Sequence, residues 1–236
     1  MEGLKVKIIA GIDNYDIEKV LKIVKAAEIG GADAVDIAAD ENIIKLVKET
    51  CSLPVFVSSV VPEKLLMAKE CGADILEIGN FDAMYKKGMR ITAEEVLEIT
   101  YRTIELVGDD TPICVTVPGH LDIAEQVSLA EDLEDIGIDL IQTEGAATID
   151  AKSAGARGLI EKALASIANT VELSKNVRTP LMTASGITAT TAPMAFAAGA
   201  SAVGIGSCVN RLESEFEMII AVKAIVEAVE AAKEKV

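Results

Sequence analysis

The chain has 236 residues, half of them apolar and a quarter charged, so it can bury a substantial core and is not a disordered polymer. Its 38 acidic side chains against 22 basic ones leave a net charge of −16, which repels a phosphate backbone and argues against a nucleic-acid partner. Four Phe, three Tyr and no Trp offer no base-stacking platform, and no apolar run reaches the roughly 20 residues of a membrane span.

The opening, MEGLKVKIIAGI, lacks the charged region, apolar stretch and small-residue cleavage site of a secretory leader, so a cytoplasmic location is expected. From there one unit repeats: a short run rich in β-branched residues, a polar or Gly-containing turn, then a stretch with apolar residues three and four apart. The strand runs are VKIIAGI from Val6, AVDIAA from Ala34, PVFVSS from Pro54, ILEIGN from Ile75, PICVTVP from Pro112, LIQTEG from Leu140, PLMTASG from Pro180 and AVGIGSC from Ala202. Between them, 16–29 reads as an amphipathic helix with Ile17, Val20, Leu21 and Val24 on one stripe, and Thr92 with Glu95 forms a capping box at the start of another. Gly31-Ala32-Asp33, Gly72-Ala73-Asp74, Gly137-Ile138-Asp139 and Gly199-Ala200-Ser201 each stand just before a strand, where glycine supplies a left-handed helix end and a tight turn.

Alternating strands and helices with short connections imply right-handed crossovers, and eight units close into a single (β/α)8 barrel over 1–236. The alternative, an open doubly wound sheet, is disfavoured because the first turn, GIDNYD, carries no GxGxxG.

Strand residues alternate between the helix layer and the barrel interior. That places Lys7, Asp36, Glu77, Thr116, Gln142 and Glu144 inside, with Ile8, Val35, Ile37, Leu76, Ile78, Val115, Val117 and Ile141 against the helices. Charges in a low-dielectric interior must be paired, hydrated or neutralised, so this set reads either as a catalytic constellation or as a buried ion-pair layer that holds the barrel in register. Glu144 is the favoured general acid or base, because it lies at the C-terminal end of its strand, where barrel chemistry occurs; Glu77 and Asp36 would assist it. Lys7 is a candidate too, as a charge partner or as a Schiff-base amine, although it stands early in its strand. Should Asp36, Glu77 and Glu144 converge they would suit Mg²⁺, but no metal is required. Asn80 at the end of the fourth strand would orient a substrate hydroxyl, with Thr116 and Gln142 also facing substrate.

The last two strand ends carry Ala184-Ser185-Gly186-Ile187 and Gly204-Ile205-Gly206-Ser207. Glycines in consecutive loops let backbone N–H groups approach an anion, and barrels commonly seat phosphate at this corner. Ser185, Gly186, Gly204, Gly206 and Ser207 are therefore the expected phosphate ligands, for a sugar phosphate or for the phosphate of flavin mononucleotide; the alternative is glycines that only permit tight turns. Loop 80–90 clusters Lys86, Lys87 and Arg90 beside Asp82 and would attract an anionic substrate, with Arg90 as a contact. His120, the single histidine, follows the fifth strand and is a candidate for proton transfer. The small-residue stretch 146–157 has the composition of a lid. Cys51, Cys71, Cys114 and Cys208 are too widely spaced for a metal site and read as free thiols.

The segments GIDNYD, AVDIAAD, PVFVSSV, ADILEIGNFD, VTVPGHL, AEQVSLAEDLEDIGIDLIQTEG and TASGITATTAPMAFAAGASAVGIGSCVN together resemble the hypothetical-chloroplast-reading-frame family number twenty-three of plastids and cyanobacteria. The resemblance runs through seven of the eight strand ends and departs most in loop 146–157. It implies a phosphate-binding TIM barrel and carries no catalytic assignment. The expected activity is that of a lyase, isomerase or aldol-type enzyme on a small phosphorylated metabolite; the assembly is left open, with a homodimer one option. The rivals are a flavin-dependent oxidoreductase and a non-catalytic, ligand-binding or regulatory barrel whose charged helices contact a protein.

Overall fold

The computed structural model describes residues 3–85, 88–145 and 151–233. Eight parallel strands close a barrel in sequence order: β1 (Val6–Ile9), β2 (Ala34–Ala38), β3 (Val55–Ser59), β4 (Ile75–Ile78), β5 (Ile113–Val117), β6 (Leu140–Thr143), β7 (Leu181–Thr183) and β8 (Ala202–Ile205). Outside them lie α1 (Ile17–Gly30), α2 (Glu41–Thr50), α3 (Pro62–Glu70), α4 (Asp82–Tyr85) and α5 (Ala93–Val107), then α6 (Ile123–Ile136), α7 (Gly155–Leu173), α8 (Ala192–Ala197), α9 (Ser207–Asn210) and α10 (Glu215–Lys233). All eight strand runs expected from the sequence are strands, and the capping box of Thr92 and Glu95 is formed at the start of α5.

The repeated turns explain how the strands are held at their N-terminal ends. Gly31, Gly72, Gly137 and Gly199 all have positive φ, between 86° and 105°. The residue two places on reaches back to the preceding strand. Asp33 Oδ2 accepts from the amides of Lys5 and Val6 at 2.9 and 2.8 Å, Asp74 Oδ2 from Val55 at 2.8 Å, and Asp139 Oδ2 from Ile113 at 2.9 Å. Ser201, in the fourth copy, donates its hydroxyl to the Leu181 carbonyl at 3.0 Å. The barrel is thus assembled from four strand pairs, each clamped by the turn inside it.

Alternation along the strands divides the apolar residues into two bodies. Ile8, Val35, Ile37, Leu76, Ile78, Val115, Val117 and Ile141 pack with the helices. Ala34, Phe56, Ile75, Cys114, Leu140, Met182 and Ala202 form a separate plug inside the barrel. These plug residues are the first or second of their strands, so they close the N-terminal end. Residues two positions further on then form the next layer, which is polar from β2 to β6 (Asp36, Ser58, Glu77, Thr116, Gln142) and small at β7 and β8 (Ala184, Gly204). Among the described residues no helix is long and apolar enough to cross a membrane, and all four cysteines are free.

Candidate functional site

The polar layer is continuous. Lys7, Asp36, Glu77, Thr116 and Gln142 are fully buried, as is Ser58, which the alternation of VFVSSV also turns inward. Lys7 Nζ forms an ion pair with Glu77 Oε2, donates to Gln142 Oε1 at 3.0 Å and lies 4.7 Å from the centroid of the Phe56 ring in the plug. Gln142 Nε2 donates to Glu77 Oε1 at 3.0 Å and Thr116 Oγ1 at 3.1 Å, with a longer contact to Asn80 Oδ1 at 3.3 Å. Asp36 is held by Ser58 Oγ on one oxygen and by Asn80 Nδ2 on the other, at 2.9 Å.

Electrostatics sort this layer. One ammonium faces two carboxylates, and only Glu77 touches it. Burial pulls the Lys7 pKa down, but the fields of Glu77 and Asp36 more than restore it, so it stands above the ordinary lysine value. Burial and the neighbouring Glu77 charge raise the Asp36 carboxyl from 3.8 to about 7, against the pull of Lys7, Ser58 and Asn80. Lys7, the expected Schiff-base amine, is thus an enclosed ammonium paired with Glu77 and bonded to Gln142. Burial and the Glu77 charge also hold the Cys114 thiol protonated.

Asn80 is the lid of this layer. It adopts φ 66°, a left-handed conformation rare outside glycine, directly after Gly79 at φ 147°. A Cβ on Gly79 would sit 2.0 Å from Thr116 Oγ1, so the chain passes against β5 there. Both Asn80 amide hydrogens are spent, on Asp36 and on Ser58 Oγ at 3.0 Å. Only its carbonyl oxygen keeps a lone pair for a ligand.

Above Asn80 a cleft of about 200 Å³ opens between the ends of β1, β4, β7 and β8. Ser185, Gly186, Gly206 and Ser207 line it together, as the two glycine loops imply, along with Asn80 and Arg211. The backbone N–H groups of Gly186, Ile187 and Gly206 have no acceptor among the described residues, and neither does the exposed Arg211 guanidinium. Ser185 at φ 68° and Gly186 at φ 74° turn the chain sharply. A Cβ on Gly186 would lie 2.4 Å from the Lys162 carbonyl oxygen of α7, whereas at Gly206 the nearest atom would be 3.5 Å away. Gly186 is demanded by packing; Gly206 is not. Gly204 does not belong to the cleft: it lies inside β8, facing Gln142, Ile9 and Ala184. Likewise Lys7, Asp36, Glu77, Thr116 and Gln142 do not line this cleft; Thr116 and Gln142, expected to face substrate, are engaged in the buried layer that Asn80 covers.

A separate group stands over β4–β6. Glu144 is 2 % exposed; Tyr85 Oη donates to its Oε1, and Asn169 Nδ2 donates to its backbone carbonyl at 3.0 Å. The His120 ring meets Tyr85 edge-on with centroids 5.2 Å apart, and its buried Nδ1 has no partner among the described residues. Burial, and then the Arg90 charge, hold the His120 pKa below 6.5, so the imidazole is neutral at pH 7. Arg90 stacks 4.8 Å from the Tyr85 centroid and donates to the Met89 carbonyl at 2.9 Å, lining neither the cleft above Asn80 nor the one beside it. Lys86, Lys87 and the side chain of Asp82 lie outside the described residues, as do 146–150 of the expected lid. Of that stretch, 155–157 are already the first turn of α7, and Ser153 is tied to Glu161 at 2.6 Å. Among the described residues no three His, Cys, Asp or Glu side chains are placed to hold a metal, so Asp36, Glu77 and Glu144 do not converge.

Sequence reasoning overlooked Ser58, Tyr85 and Arg211. Ser58 was available from the same alternation as Glu77, and Arg211 as the first cation after the last glycine loop. Tyr85 carried only the signal of being one of three tyrosines.

The fold is shared with the 3-hexulose-6-phosphate synthase of Salmonella typhimurium, at a TM-score of 0.69 and 14 % identity, covering 97 % of this chain and all of that one. The orotidine 5'-phosphate decarboxylase of Pyrococcus horikoshii aligns at 0.64 and 14 % identity, over 95 % and 99 % of the two chains. At sequence level, the "Uncharacterized protein ycf23" of Pyropia yezoensis is 40 % identical over 225 residues, 95 % of this chain and 82 % of the relative. That of Cyanophora paradoxa is 40 % identical over 215 residues, 91 % and 88 % of the two. The profile of the family described as "Protein of unknown function (DUF561)" matches residues 2–235, and with these relatives it makes the chain a member of the Ycf23 family.

Proposed function

We propose that this chain is a phosphate-binding barrel enzyme acting on a small phosphorylated metabolite, by lyase, isomerase or aldol-type chemistry. The observation that carries the reading is the cleft above Asn80. Three backbone amides and one guanidinium that have no acceptor among the described residues line it, beside the Asp13 carboxylate, on a chain whose net charge is −16. Isolated amides and an Arg fork suit a phosphate dianion better than any neutral group. Two barrels of the same fold are named for phosphorylated compounds, which supports the same reading.

In this reading Gly186, Ile187, Gly206, Ser185 and Ser207 hold the phosphate, with Arg211 closing over it. The carbon skeleton then lies across Asn80. Glu144, two residues beyond Gln142 and buried outside the lining of both the cleft above Asn80 and the one beside it, is the candidate proton carrier, with the Tyr85 hydroxyl donating to its Oε1. Asp36, poised near neutrality beneath Asn80, adjusts the field at that point.

The test is turnover of pooled phosphomonoesters followed by ³¹P NMR. One compound is expected to isomerise or split, and Glu144→Gln to slow it by about 10²-fold or more. Tight phosphate binding with no compound consumed would make the protein a ligand-binding barrel instead, and a flavin spectrum in the purified protein would transfer the corner to flavin mononucleotide.

A further inference from the structure

Beside the phosphate cleft lies a second one, of about 170 Å³, at the ends of β1, β2 and β3. The two share Ile12 and Asp13 as a common wall. Their floors also touch: Ser58 lines the second cleft and Asn80 the first, and these side chains are joined by a 3.0 Å hydrogen bond above Asp36.

The second cleft differs in character from the first. Ile12, Tyr15, Val60, Val61, Met84 and Met89 line it. Tyr15 is 52 % exposed, Val61 41 % and Met89 47 %, so three of the large apolar side chains left open to solvent gather at this one opening. Such clustering marks a binding surface more than random exposure does, and paired methionines give a wall that adapts to an apolar shape. On the floor the Ser58 hydroxyl is spent and Ser59 Oγ already accepts one bond. Ser58 donates to Asp36 and accepts from Asn80, and Ser59 Oγ accepts from the Val61 amide at 3.1 Å. Lys64 stands at the rim with its ammonium 6.0 Å from the Tyr15 centroid and no acceptor among the described residues. Asp13, Ser59 and Lys64 also line the cleft, but an apolar chain laid on Ile12, Val60, Val61, Met84 and Met89 would displace water from surfaces that gain nothing by keeping it.

We infer that the ligand of this barrel is an amphipathic phosphomonoester, with its phosphate in the first cleft and a largely apolar remainder in the second. The inference rests on the phosphate reading of the first cleft. A buried methylene strengthens binding roughly fourfold, so two or three seated in the second cleft give tenfold or more.

Isothermal titration with inorganic phosphate, glycerol phosphate and hexyl phosphate tests it. Hexyl phosphate is expected to bind at least tenfold more tightly than either of the others, and Val61→Asp, at a half-open position, to erase that gain while leaving inorganic phosphate unchanged. Equal affinities for all three, or a gain that survives Val61→Asp, overturns the inference alone. No response to inorganic phosphate overturns it together with the phosphate reading.

Discussion

Within the buried layer Lys7 touches Glu77 and stands in the field of Asp36, so one cation serves two carboxylates. Removing the cation leaves both acids without a counter-charge. Lys7→Met is therefore expected to cost about 3–5 kcal/mol in urea unfolding, and Glu77→Gln distinctly less, because Asp36 can ionise in its place. Equal losses would contradict this division of roles. Asp36 itself should be visible in the pH dependence. The folded protein keeps a proton on it that the unfolded chain has released, so between about pH 4 and pH 7 its contribution lowers stability as pH rises, by up to roughly 1.4 kcal/mol per unit, and then levels off. His120, held below 6.5, acts in the opposite sense below that pH, so the quantity to measure is the difference between wild type and Asp36→Asn. That difference should grow in favour of Asp36→Asn from pH 4 to pH 7; a flat difference would place Asp36 as an ordinary ionised carboxylate. The inward position of these residues was legible because strand alternation is strictly twofold and a charge among β-branched neighbours stands out. Their separation from the cleft was not, because depth in a barrel depends on strand stagger, and nothing in the order of residues states that Asn80 will fold over Asp36.

At the level of elements, the Gly-x-Asp turns and the two glycine loops make distinct demands. Asp33, Asp74 and Asp139 each satisfy strand-end amides that would otherwise lack acceptors. Their alanine variants should each lose about 1–2 kcal/mol, and combinations should add, since each clamps a different strand pair. Strong non-additivity by thermal unfolding would show that the strand pairs are not independent units. Gly186→Ala forces a Cβ onto the Lys162 carbonyl at a positive φ and should destabilise the fold, whereas Gly206→Ala should stay within about 0.5 kcal/mol of wild type. Differential scanning calorimetry on the pair separates a packing glycine from a binding one. The architecture was readable from the chain because eight apolar runs, helix stripes and turn glycines all repeat in phase. The start of α7 was misplaced because 151–157 is rich in small residues whose composition suits a loop and a helix end equally.

For the molecule as a whole, an acidic surface sets the constraint on any anionic ligand. Excess negative charge slows its approach and leaves the cleft beside Arg211 to overcome the repulsion locally, so binding should strengthen modestly with added inert salt as the surface is screened. The most direct measurement is a backbone-amide NMR titration of the intact protein with inorganic phosphate. The amides of Gly186, Ile187 and Gly206 should shift together along one binding curve, and Arg211→Ala should weaken that curve while the spectrum otherwise holds. Shifts scattered over the helix layer, or none at these three amides, would contradict the account.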